Sequence, residues 1–100
     1  MNVEEFAMGV MDEFNKYDDS EFDECDWFYY SNSQKYYNGN TDIKECDVIN
    51  VSIPIIWGEI CIRTIEAIKQ FGLKNGFKLE AIGCEEDRIY FDFIKLRVVK

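Results

Sequence analysis

Two amphipathic stretches with helical spacing, short alternating segments between and after them, and tight-turn signals joining those segments predict an α+β fold. The predicted order is α-β-β-β-α-β-β, with an antiparallel sheet and two helices packed on one of its faces. At 100 residues the chain holds one domain, 1–100, with no room for a second core.

The first helix is predicted over 3–17. Val3, Phe6, Ala7, Val10, Met11, Phe14 and Tyr17 share one side, with Glu4, Glu5, Asp12, Asn15 and Lys16 opposite. Asn2 is placed to cap it, Glu5 completes a capping box, and Asp12 and Lys16 stand at i,i+4 on the solvent side. The stretch DDSEFDECD at 18–26 does not continue this helix. It places Asp19 and Asp23 at i,i+4, and Ser20 and the aspartates favour caps and turns.

WFYYS at 27–31 reads as a strand, NSQ as a turn and KYY at 35–37 as the hairpin partner; NGN at 38–40 is a second turn signal. A further strand runs through CDVINVSI at 46–53, with Ile49, Val51 and Ile53 on one face and Pro54 as its stop. The second helix is predicted with Trp57, Ile60, Cys61, Thr64, Ile65, Ile68 and Phe71 as its apolar face, and Glu59–Arg63 as an i,i+4 pair. KNG at 74–76 supplies a better C-cap than Gly72 alone. FKLEAI at 77–82 and RIYFDFIKLRVV at 88–99 are the last strands. In the latter the alternation slips from Ile89/Phe91/Phe93 to Ile94/Leu96/Val98, which predicts a β-bulge near Phe93 and Ile94 or burial on both faces.

Composition excludes several function classes. With no histidine, neither a Ser–His nor a Cys–His pair exists, and no catalytic residue is assigned. The six glycines form no G-x-G phosphate loop. Cys25, Cys46, Cys61 and Cys84 form no C-x-x-C pair, which removes zinc fingers; they read as buried reduced thiols. Aligning Asp19, Glu21 and Asp23 with the first ligands of a calcium loop puts Glu24 at the turn-glycine position and Tyr30 at the bidentate glutamate, so the EF-hand fails at both essential places. No cofactor or metal site is expected. No apolar run reaches the ~18 residues of a membrane span, and the acidic N-terminus does not read as a secretory signal. The expected location is the cytoplasm of a bacterial host, because a composition rich in Ile, Asn, Lys and Tyr is typical of low-GC bacteria and their phages.

Charge is the strongest functional signal. Residues 1–47 hold thirteen acids against three bases, a balance of −10, whereas residues 48–100 balance at +1. Such a surface repels free nucleic acid and anionic membranes and steers basic proteins towards itself. Six carboxylates (Asp18, Asp19, Glu21, Asp23, Glu24, Asp26) fall within nine positions, and Trp27, Phe28, Tyr29 and Tyr30 follow without a break. In extended backbone Asp19, Glu21 and Asp23 advance about 6.6–6.8 Å per pair of residues, close to two nucleotide steps of about 3.4 Å each. Tyr and Trp are also enriched at protein interface hot spots.

The partner-binding surface is therefore expected to comprise Asp18, Asp19, Glu21, Asp23, Glu24 and Asp26 with Trp27, Tyr29, Tyr30, Tyr36 and Tyr37. The expected function is that of a small acidic inhibitor of phage or mobile-element origin, anti-CRISPR-like or DNA-mimic-like. It would bind, as a monomer or small homodimer, the basic surface of a nucleic-acid-binding host enzyme. The alternatives are an immunity or antitoxin protein that neutralises a basic toxin, and a small carboxylate-based metal-binding module. The charge balance generates one direct test: free duplex DNA at physiological salt gives no mobility shift with micromolar protein, and a shift would expose a cationic patch that the net charge hides.

Overall fold

A computed structural model describes residues 1–20, 24–56, 60–85 and 87–97. Helix α1 spans Val3–Asn15. Its start is built as its sequence dictates: the Asn2 side chain accepts from the Glu5 N–H at 2.8 Å, and the Glu5 carboxylate accepts from the Asn2 N–H at 3.1 Å. The same end is clamped by the chain that follows NGN. Val3 N–H donates to the Thr41 carbonyl, and Ile43 N–H donates to the Met1 carbonyl. Val3, Phe6, Ala7, Val10, Met11 and Phe14 are all buried, as their spacing requires. Tyr17 is not. The helix ends two residues earlier and leaves it exposed. Lys16 also departs from expectation, pairing with Glu13 at 2.9 Å instead of Asp12.

Strands β1 (Asp26–Ser31) and β2 (Gln34–Tyr37) form the predicted hairpin. Its turn is two residues, not three: Asn32 and Ser33 both lie at positive φ, the sign pattern of a type I′ turn whose twist matches the strands. A single 3₁₀ turn, Ile43–Glu45, precedes β3 (Val48–Pro54). Pro54 is the last residue of that strand and still faces Arg88. Helix α2 spans Ile62–Lys74, later than its apolar spacing predicts. Cys61 is the extended N-cap residue and is exposed, and Trp57, Gly58 and Glu59 lie outside the described residues. The predicted stop holds: Asn75 is the C-cap, and Gly76 at φ +86° turns the chain out of the helix.

Strands β4 (Phe77–Cys84) and β5 (Arg88–Lys95) close the fold. All neighbouring strands are antiparallel, in the order β2-β1-β3-β5-β4. The predicted irregularity at Phe93 lies on the partner strand. The register shifts in β4 between Leu79 and Ala81, opposite Phe93 and Asp92. β5 itself keeps strict alternation, with Ile89, Phe91 and Phe93 fully buried, and ends before a second phase begins; Ile94 and Leu96 are exposed. Among the described residues, no helix is long and apolar enough to cross a membrane.

Both helices lie on the face that carries Ile49, Val51, Ile53, Ile89, Phe91 and Phe93. Phe6 of α1 meets Phe93 edge-on at 5.0 Å, and Gly72 of α2 backs onto the same Phe93 ring. A Cβ at Gly72 would lie 2.8 Å from that ring and 3.0 Å from the Phe77 carbonyl, so only glycine lets α2 approach this closely. Gly72→Ala is expected to destabilise the protein by about 1–3 kcal/mol despite its better helix propensity. Urea unfolding followed by circular dichroism checks this; unchanged or higher stability would show that α2 has room to move off the sheet.

Candidate interaction face

Parity along β1 divides the aromatic run. Trp27 and Tyr29 point to the helix side, and Phe28 and Tyr30 to the uncovered side. Tyr29 is 3% exposed, belongs to the core and stacks on Tyr36 at 5.2 Å. Trp27 packs against the core, and its indole N–H donates to the Gly39 carbonyl at 2.7 Å. Tyr29 is not a free anchor, which corrects its assignment to a partner surface: a strand buried on one face must spend side chains on its own core. Trp27 is half-buried. The Tyr29 hydroxyl is accordingly held above its ordinary pKa, chiefly by burial.

The uncovered side is a coherent surface. Phe28 faces Tyr37 across the hairpin, with ring centroids 5.8 Å apart, and meets Tyr30 edge-on at 6.1 Å. Lys35, opposite Tyr30, carries its ammonium 4.1 Å from the Phe28 centroid and 4.8 Å from that of Tyr37. Tyr37 is 70% exposed. Towards β3 the side chains shrink: Asn50 and Ser52 occupy its outward positions, with Phe28 and Asp26 opposite them on β1 and Asp92 and Tyr90 on β5. A strand of small polar residues between two strands of large ones makes a trough of about 450 Å³.

Hydrogen bonds order its lining. The Arg88 guanidinium donates to Ser52 Oγ at 2.7 Å and pairs with Asp26 at 2.9 Å. Asn38 donates its side-chain amide to Asp26 and, through its own carbonyl oxygen, accepts from the Trp27 N–H. Asn50 donates to Asp92. The Tyr90 hydroxyl donates to Glu85 at 3.1 Å and is held above its ordinary pKa by burial first and by that bond second.

The acidic stretch is more divided than its sequence implies. Asp18 Oδ2 accepts from the Cys61 N–H at 2.9 Å and from the Thr64 hydroxyl at 2.6 Å. It therefore caps α2 from outside the helix, where the open N–H groups and positive dipole end favour an anion. Asp19, Glu24 and Asp26 are exposed, and Glu21 and Asp23 lie outside the described residues. Among the described residues, no group of three Cys, Asp or Glu side chains converges as a metal-binding cluster.

The cysteines split likewise. Burial pushes the Cys25 and Cys46 thiols up to about 11, whereas Cys61 at the helix cap and Cys84 at the end of β4 are exposed, contrary to the expectation of four buried thiols. All four are free.

Sequence reasoning missed Phe28, Lys35, Asn50, Ser52, Arg88, Tyr90 and Asp92 as members of one surface. The alternation of β3 carried part of the signal, but strand order did not follow from it. No family model, curated protein or solved structure matches this chain.

The two roles assigned to the acids separate by stability. Asp18→Ala removes a helix cap and a partner of the buried Thr64 hydroxyl, and is expected to cost about 1–3 kcal/mol. Asp19→Asn, at an exposed position, is expected to change stability by less than about 0.5 kcal/mol. Thermal melts of the two variants side by side check this; equal melting temperatures would remove Asp18 from the frame of the fold.

Proposed function

We propose that this protein is an acidic inhibitor of phage or mobile-element type, which docks on the basic surface of a nucleic-acid-binding protein and competes with the nucleic acid. One observation carries the reading: in a chain of net charge −9, one face of the sheet is left without a helix among the described residues and carries Phe28, Tyr30 and Tyr37 beside Asp26 and Asp92. An uncovered aromatic face supplies the anchor area that hot spots use. The acids supply long-range attraction. Among the described residues, only Glu13, Glu80 and Asp26 have a lysine or arginine within ion-pair distance. The remaining described acids keep their field for a partner.

Acids and aromatics then act at different stages of binding. Affinity capture from host lysate supplies the partner, and competition with its nucleic acid tests the mode; a captured toxin that binds no nucleic acid would favour an immunity role. Against that partner, Asp19→Asn combined with Glu24→Gln is expected to slow association and flatten its salt dependence. Tyr37→Ala is expected to speed dissociation, at a cost of about 2 kcal/mol or roughly thirtyfold in affinity. Surface plasmon resonance over a salt series reads both. If neither variant alters the kinetics, the uncovered face and the acidic stretch are not the interface.

A further inference from the structure

We propose that the trough along β3 receives an arginine side chain of the partner, with its guanidinium paired to Asp92 and lying against the Tyr90 and Phe28 rings. This deepens the reading above and rests on the partner being a basic protein. Asn50 and Ser52 form the floor, and Asp92 stands at the edge beside Asn50, outside the lining itself; the volume of about 450 Å³ lies within the roughly 300–1,000 Å³ of small-ligand pockets.

The charges in and around the trough select the sign of the occupant. Arg88 is its cation, and both terminal nitrogens are already engaged, one by Ser52 and one by Asp26. These bonds use two of its five N–H donors, and Asp26 offsets its charge. Asp92 is different. It is half-buried, one of its oxygens accepts from the neutral Asn50 amide, and among the described residues no lysine or arginine lies within ion-pair distance of it. Among the described residues, Glu85 accepts from Tyr90 and joins Asp26 and Asp92 around this surface, with Arg88 and Lys35 as nearby cations.

The rings select the shape. Lys35 over Phe28 and Tyr37 shows that this face already holds a cation on aromatic carbon. A guanidinium is planar, stacks on a ring while its edge donates to a carboxylate, and is more weakly hydrated than an ammonium. The trough offers that combination, with Asp92 and Tyr90 separated by one residue on β5 and facing Asn50 and Ser52.

The test is an NMR titration of the isotope-labelled full chain with three capped peptides, each one central residue flanked by glycines: arginine, its neutral isostere citrulline, and lysine. The arginine peptide is expected to give saturable shifts centred on the Asn50 side-chain amide, Ser52, Tyr90 and Asp92. The citrulline peptide should give none, and the lysine peptide at least threefold weaker binding. Asp92→Asn, which keeps the shape and the Asn50 contact, should abolish saturation without changing the circular dichroism melt. Asp19→Asn should leave the titration unchanged. Shifts confined to residues 18–26, equal in wild type and Asp92→Asn, would overturn the arginine trough while leaving the charge-steered inhibitor intact. The absence of any shift would overturn the trough as well. Failure of the broader reading has a separate signature, a captured partner that nucleic acid does not displace.

Discussion

Phe6 is the contact on which the rest of the structure depends. Its ring lies 5.4 Å from Phe71 of α2, 5.4 Å from Phe77 of β4 and 5.0 Å from Phe93 of β5, so one side chain of α1 joins both helices and the far half of the sheet. Aromatic pairs of this kind add about 0.5–1.5 kcal/mol each beyond their buried area. The joint closes only because Gly72 presents no Cβ to Phe93. Once both helices are committed to that face, no further helix among the described residues covers the other. The uncovered aromatic surface is thus a consequence of how the core is built.

The same economy explains the division within the acidic stretch. Helix α2 begins without a side-chain cap of its own, and Asp18 supplies one from 43 positions earlier in the chain. That bond fixes where the connection leaving α1 passes over the start of α2. An aspartate that reads as part of a charged patch is in this way consumed by the fold, as Tyr29 is consumed by the core. The acids and rings that remain outward are fewer, and they are joined by polar residues from β3 and β5 that no local pattern associates with them.

An unmatched carboxylate in a half-buried setting is costly unless something compensates it. Among the described residues, Asp92 has the neutral Asn50 amide as its hydrogen-bond partner, whereas Asp26 has Arg88. The exposed Arg88–Asp26 pair is worth only about 0–1 kcal/mol. Its effect is geometric: it holds Arg88 at the end of the trough.

Much of the fold was legible in the residues alone, because its determinants are local. The capping box at Asn2 and Glu5, the 3.6-residue spacing of Val3 to Phe14, the KNG stop and the alternation of Ile49, Val51 and Ile53 each act over a few positions. Where the reading failed, the cause was a contact from far away in sequence. Helix α2 starts at Ile62, with Asp18 taking the Cys61 N–H, and the irregularity expected in β5 falls in β4 because register belongs to a strand pair and not to one strand. For the candidate site, the residues alone set the charge, its concentration in the first half and the supply of aromatic side chains. Which aromatics face outward follows from parity once one face is buried. That Asn50, Ser52, Tyr90 and Asp92 join them was decided only by the order β2-β1-β3-β5-β4, which brings side chains some forty positions apart into hydrogen-bonding distance. Strand order depends on how the helices pack across the sheet, and no run of neighbouring residues encodes it.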